Sequence, residues 1–439
     1  MKPMRLSSKH SSVPAKNSAA LAHRIEPYLR RLAKVRSSHS YAGWESSLVL
    51  PDDKKNLARA LRIAREKSSP RLKYVLVIGI GGSSLGVRAI YQALRGYADE
   101  VTPDRFPKML FLDTTDPNYL TAVTSFLAKR VKHVEEVLIH IASKSGTTTE
   151  PIANAEVVVA SLEKRFSRIN NRITVATDAD SPLAELADKK NIAWAEIPKF
   201  VGGRFSTLTG VGLIPLAASG INIQKLMAGA RSSLDACLEG SPRTNPAVIS
   251  ATTLFYHLMH GRSIHDTFLF HPELEALGKW YRGLLAESVG KEKNLSGTVV
   301  HTGMTPTVSI GSVDLHGVGQ LTFGGPRDKI TTFVARDRMI PGPGISDRTI
   351  FRACAPNIRG KSTGEILQAI YTGTKRAYAK NGLPFMEVLM RDISEYSLGA
   401  FMQWKMVEVI VLGKLMGLNA FDQPNVESYK AETRRILGQ

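Results

Sequence analysis

Apolar positions change their spacing twice along this chain of 439 residues. In "LAHRIEPYLRRLAKV" (21–35) and "KKNLARALRIAREK" (54–67) they recur three and four apart, which predicts amphipathic helices within 19–69. From residue 74 the pattern becomes short, β-branched runs: "YVLVIGI" (74–80), "MLFLD" (109–113), "VLIHIAS" (137–143), "RITVATD" (172–178) and "IAWAEIP" (192–198). Helical segments separate them. Runs that are apolar on both faces and alternate with helices predict a parallel, doubly wound sheet. Beyond residue 210 the spacing is mainly helical, with strand candidates at "TVVHTG" (298–303), "QLTFGG" (320–325), "ITTFVA" (330–335) and "FMEVLM" (385–390). A second α/β unit is therefore expected. A long helix over 395–416 should stop at Gly417, and a final one should start with Asp422 as cap and Pro424 in its first turn.

The chain is too long for one ordinary core, so two packed units with appendages are expected. The boundaries read as an N-terminal tail and helices over 1–69, units over 70–217 and 218–417, and a C-terminal helix over 418–439. With 43% hydrophobic and 22% charged residues the composition is that of a soluble globular protein. The most apolar stretch, "VEVIVLGKLMG", is broken by Glu408 and Lys414, so no membrane span is expected. Cys237 and Cys354 form no CxxC pair, which speaks against structural zinc or a disulfide framework and for a reducing compartment, the cytoplasm. The formal charge, 58 − 39 = +19, is spread along the chain rather than gathered beside a recognition motif, so no nucleic-acid partner is expected. Residues 1–25 hold five basic residues and five serines but no apolar core of a leader; a solvated basic tail is the preferred reading over a transit peptide.

Two strand-to-helix junctions carry the candidate chemistry. In "VIGIGGSSLGVRAI" (77–90) the dinucleotide fingerprint fails at Ser84, and a P-loop fails at Val87, where it would need lysine. What remains is a Gly-Gly-Ser-Ser turn opening a helix, a place where backbone N–H groups and the helix dipole favour an anion. The second junction, "SKSGTTTEP" (143–151), offers five hydroxyls and a lysine in the same setting. Serine and threonine caps would account for one such loop. Two, each denser in donors than a cap requires and both at strand carboxyl ends, favour a phosphate site.

"GIGGSSLG", "SKSGTTTEP" and "GGRFSTLTGVGLIP" (202–215), followed by "AESVGK" (286–291), "DLHGVGQ" (314–320) and "FDQPNVESYK" (421–430), together resemble the glucose-6-phosphate isomerase family, over about residues 70–430. The resemblance implies two sugar-isomerase αβα sandwich units with parallel sheets, N-terminal helices and a C-terminal helical arm. It implies interconversion of glucose 6-phosphate and fructose 6-phosphate through a cis-enediolate, with Glu287 as the proton-transferring base. Arg204 would face the developing oxyanion charge, with Gly202 and Gly203 leaving room for close approach. His316 and Lys430 would open the sugar ring. Ser83, Ser143, Lys144, Ser145 and Thr148 would hold the phosphate, Gly82 would also bind the substrate, and Gln423, seven residues before Lys430, would face the same ligand. The family's histidine comes from a neighbouring subunit, so a homodimer with shared sites is implied, and "DLHGVGQLTFGG" suits a loop reaching across an interface. No metal or organic cofactor is expected.

The sequence departs from the family at Gly283, where many members have a substrate-contacting glutamine, and at Asn425, where a glycine is usual; asparagine tolerates a left-handed turn there. The competing readings are a related sugar-phosphate isomerase of mixed specificity, and a non-catalytic sugar-phosphate-sensing regulator. A regulator would add a helix-turn-helix, and residues 19–69 show no clear one.

Overall fold

The computed structural model describes residues 3–96, 98–167, 169–346, 350–351 and 353–438. Among these, the strands in chain order are β1 Met4–Ser7, β2 Tyr74–Ile78, β3 Lys108–Leu112, β4 Val137–Ala142, β5 Ile173–Thr177, β6 Ala193–Glu196, β7 Ile264–Leu269, β8 Lys291–Lys293, β9 Val299–Thr302, β10 Thr305–Ile310, β11 Lys329–Arg336 and β12 Phe385–Met390. They build two five-stranded sheets and one small hairpin.

The first sheet has the order β3-β2-β4-β5-β6, and every pairing in it is parallel. Each residue of β2, β4 and β5 is buried, as cover on both faces requires. Because β3 and β4 flank β2 on opposite sides, the winding reverses at β2. In open sheets of this kind ligands bind at the carboxyl ends of the strands beside such a reversal. The Gly-Gly-Ser-Ser turn leaves β2 and the hydroxyl-rich loop leaves β4, so the topology brings both to that crevice.

The second sheet has the order β1-β12-β11-β7-β10, parallel except for β1. Here several expectations are corrected. The basic tail is not a solvated appendage: Met4–Ser7 pairs antiparallel with β12, Met4 opposite Met390 and Ser7 opposite Glu387. Beyond the strand, the His10 ring stacks on Phe385, and the Ser11 carbonyl accepts a 2.7 Å hydrogen bond from Nε2 of buried His257. Alternation of Met4 and Leu6 toward the core with Arg5 and Ser7 outward supplies the reason. The run "QLTFGG" is no strand but the short helix Gly319–Gly324. Leu315, Gly319 and Phe323 lie four residues apart, and Leu315 and Phe323 pack on the aromatic cluster beneath β11. Val299–Thr302 is a strand, yet it pairs only with β8, outside the main sheet.

The helix Glu395–Leu415 is buried along nearly its whole length and ends where Gly417 takes φ +69°. It carries an ion pair with no solvent access, Lys405 Nζ to Glu408 Oε2 at 2.8 Å. Tyr281, on the neighbouring helix Glu275–Val289, donates its hydroxyl to Glu408 at 2.5 Å. That second helix also bears Glu287.

Candidate active site

The turn after β2 opens the helix Gly82–Arg95, with Gly81 at φ +57°. Gly82 is where close approach matters: a Cβ there would collide with the backbone of Gly203 and Arg204. The Gly-Gly-Ser-Ser turn and the arginine loop are thus in direct backbone contact. Gly203 itself has open space where a Cβ would stand. The expected room at the arginine loop is therefore made by Gly82.

After β4, Thr148 precedes the helix Thr149–Glu163 in an extended conformation, yet its side chain makes no capping bond. Its Oγ1 accepts instead from Ser143 Oγ at 3.1 Å and lies 3.3 Å from Ser145 Oγ. Thr147 Oγ1 donates to Ser145 Oγ at 3.2 Å. The hydroxyls form a cluster of their own, which simple helix capping does not explain. Lys144 stretches across the loop to donate to the Lys199 carbonyl at 2.5 Å; burial lowers its pKa, with Asp178 opposing.

Arg204 lies in the 3-10 turn Gly203–Leu208 and is only 4% exposed. Its guanidinium is fully engaged. Nε donates to Ser288 Oγ at 3.0 Å, and Nη1 donates to Glu287 Oε2 at 3.2 Å and Gln423 Oε1 at 2.5 Å. Nη2 donates to the carbonyls of Ala420 at 2.6 Å and Asp422 at 3.1 Å. Burial lowers its pKa, and the charges of Glu287 and Asp422 oppose that. Glu287 sits in the last turn of Glu275–Val289 and is half exposed, so its free edge faces the cavity.

The structure brings Gly82, Ser83, Ser143, Lys144, Ser145, Thr148, Arg204, Glu287, Gln423 and Lys430 to the wall of one cavity of about 790 Å³. His316 is not on that wall. It is exposed on the short helix Val313–Gly317. Gln423 and Lys430 do face one space, but not as two turns of one helix: Gln423 precedes the 3-10 turn Pro424–Val426, and the helix proper is Glu427–Ile436. Lys430 Nζ pairs with Glu427 at 2.7 Å. Asp422 is not a helix cap; its carbonyl and carboxylate face Arg204 and Lys291. Asn425 needs no left-handed backbone, since it lies within the 3-10 turn and its amide donates to Glu292 at 2.7 Å. At Gly283, one turn before Glu287, a Cβ would touch only Leu85 at 3.6 Å, so the position is spacious.

The motifs do not mark Lys291, Ser288 and Asp422 as site residues, although these hold the residues that the motifs do mark. The signal for Lys291 lay in "ESVGK": it follows Glu287 by four residues, the spacing that puts a side chain under a helix terminus.

The two parallel sheets, with the cavity at the strand ends of the first, define a protein of the sugar-isomerase fold. The profile of the phosphoglucose isomerase family matches residues 52–439, and the chain belongs to that family. It is 31% identical over 399 residues to the glucose-6-phosphate isomerase of Carboxydothermus hydrogenoformans, covering 89% of this chain and 83% of that protein. Against the glucose-6-phosphate isomerase of Leptospira interrogans it is 30% identical, covering 95% and 93%. A hypothetical protein from Thermus thermophilus superposes with TM-score 0.85 at 29% identity, over 99% of this chain and 100% of that one. The glucose-6-phosphate isomerase of Chlamydia trachomatis gives 0.82 at 19% identity, over 100% of this chain and 89% of that one, which bears on the fold alone.

Proposed function

We infer that this chain reversibly isomerises glucose 6-phosphate and fructose 6-phosphate, a step of glycolysis and gluconeogenesis. The observation that carries the mechanism is the contact between Glu287 and buried Arg204 on the cavity wall, where the hydroxyl cluster of 143–148 also lies. In this reading the hydroxyl cluster and the turn at Gly82–Ser83 hold the phosphate, remote from the reacting carbons. Its binding energy orients the sugar chain. Glu287 takes the proton from one carbon and returns it to the next, while Arg204 Nη1 faces the negative charge that develops on the enediolate oxygens. Lys430 and His316 transfer the protons of ring opening.

His316 lies outside the cavity of its own chain, which supports its entry from a second copy in a homodimer. Exposed Val313 and Leu321 beside it are the apolar surface such a contact would cover. A cytoplasmic setting fits the two unpaired cysteines. Among the described residues no helix is long and apolar enough to cross a membrane.

The test is a coupled assay: fructose 6-phosphate is supplied and glucose 6-phosphate is read through an added dehydrogenase, for wild type and Glu287→Gln. Amide for carboxylate keeps the shape and removes the base, so turnover should fall by roughly 10²–10⁴-fold or more. Glu287 has no part in the chemistry if the variant keeps over half of the wild-type turnover.

A further inference from the structure

Behind the cavity wall lies a second buried cation. Lys291 is 6% exposed and does not line the cavity wall. Its ammonium donates to the Glu287 carbonyl at 2.9 Å and to the Asp422 carbonyl at 2.5 Å, and it pairs with Asp422 Oδ1 at 3.0 Å. The first contact satisfies one of the carbonyls that a helix leaves open at its C-terminus, in the turn that bears Glu287. The other two fasten the segment 420–423. Arg204 Nη2 binds the same Asp422 carbonyl from another side. That one peptide oxygen is thus shared by two buried cations, one under the base and one beside it.

Beyond this point the Asn425–Glu292 hydrogen bond is a further tether, but burial adds little. The helix Glu427–Ile436 has no buried residue, yet it carries Lys430 into the cavity. Gln423 is adjacent to the clamped residue, and its side-chain oxygen accepts from Arg204 Nη1 at 2.5 Å.

We propose that Lys291 is a positioning residue: its ammonium locks the terminal turn bearing Glu287 to Asp422, and so sets the spacing between the base and the C-terminal segment that brings Gln423 and Lys430. This rests on the isomerase reading given above. Burial lowers the Lys291 pKa, while the Asp422 contact opposes that. A neutral side chain of similar length, Lys291→Met, keeps the packing volume and removes all three contacts. A misplacement of about 1 Å at a reacting group costs on the order of 100-fold, so kcat should fall by roughly 10–100-fold. Inorganic phosphate, which probes the hydroxyl loop that the three Lys291 contacts do not include, should inhibit with a constant within about twofold of wild type, whereas general unfolding of the site would shift both quantities.

A second readout does not involve catalysis. Limited trypsin treatment of the folded protein should cut after Lys430, Arg434 and Arg435 about tenfold faster in Lys291→Met, since the segment then opens locally at lower cost. Asp422→Asn should give part of the same acceleration, and the double variant should add little to Lys291→Met alone. Cleavage at the wild-type rate, or kcat within about twofold of wild type where Glu287→Gln has lost it, would overturn the clamp. A wild-type chain that fails to convert fructose 6-phosphate would instead overturn the functional reading, and the cleavage rates would still decide on Lys291.

Discussion

Arg204→Lys keeps the positive charge at the centre of the site and alters only its shape. The guanidinium makes five hydrogen bonds, to Ser288, Glu287, Gln423, Ala420 and Asp422. An ammonium has three donors and a shorter reach, so at least two of these acceptors go unserved. At about 1.5–3 kcal/mol for each bond to a charged group, the loss is about 3–6 kcal/mol. Two of the acceptors are main-chain carbonyls of the segment leading to Gln423, so part of that loss belongs to folding. The rest belongs to the transition state. Were all of it to fall on the transition state, kcat/KM would drop by roughly two to four decades, at about 1.4 kcal/mol per decade. The coupled assay should therefore be run beside thermal unfolding of the same preparation. The sum of the two losses should reach the range above. A lysine variant within about fivefold of wild type in kcat/KM and unchanged in melting midpoint would show that the fork geometry of Arg204 does not hold the site.

Thr148→Ala and Ser143→Ala each remove a donor facing a charged ligand, so KM should rise more than kcat falls; inorganic phosphate should compete with substrate, and more weakly in both variants. If His316 acts in a neighbour's site, refolding inactive His316→Ala together with inactive Glu287→Gln should restore up to about one quarter of wild-type activity per site, because half of the dimers are mixed and each has one intact site. Mixed dimers without activity would put His316 elsewhere. The buried His140 is held neutral, its pKa lowered by burial from 6.5 to about 4, between the Val211 carbonyl and Thr174 Oγ1. The unfolded chain takes up that proton below 6.5 and the folded chain only near 4, so stability should decline as pH falls through this window, by up to about 3 kcal/mol. Melting temperatures recorded from pH 7 to 4.5 should fall less steeply for His140→Gln than for wild type; parallel curves would exclude the histidine as a cause.

Physical circumstance decided which parts of this molecule could be read from its residues. β2 and β4 are buried on both faces, so the run of β2 is apolar throughout and that of β4 is broken only by His140, and the loops after them stand out as chemistry at strand ends. β7, "IHDTFL", hides itself: His265 and Asp266 interrupt the run, and only tertiary partners make them tolerable. Thr332 bonds the histidine, and Thr307 and Ser309 donate to the carboxylate. β10 contains Pro306, which a central strand would exclude; at the sheet's edge the missing N–H costs nothing. The candidate site was legible as motifs. Its scaffold was less so, because Lys291 and Asp422 act through main-chain carbonyls, whose positions follow from the fold rather than from side-chain spacing.

The four residues of β1 matter for handling the protein. They close the flank of the second sheet, and without them β12 would present a row of unpaired amides and carbonyls to any passing strand. Arg5, exposed and paired with Asp337, makes the outer rim of β1 itself a poor template for further addition. The first residues thus serve as a selvedge, the finished border that keeps a woven cloth from ravelling. An N-terminal truncation chosen because the tail looks dispensable would leave the cavity wall in place and open the β12 edge to pairing with another copy. Fusion partners, by the same logic, belong ahead of Met4 on a spacer, so that the border can still be sewn to β12.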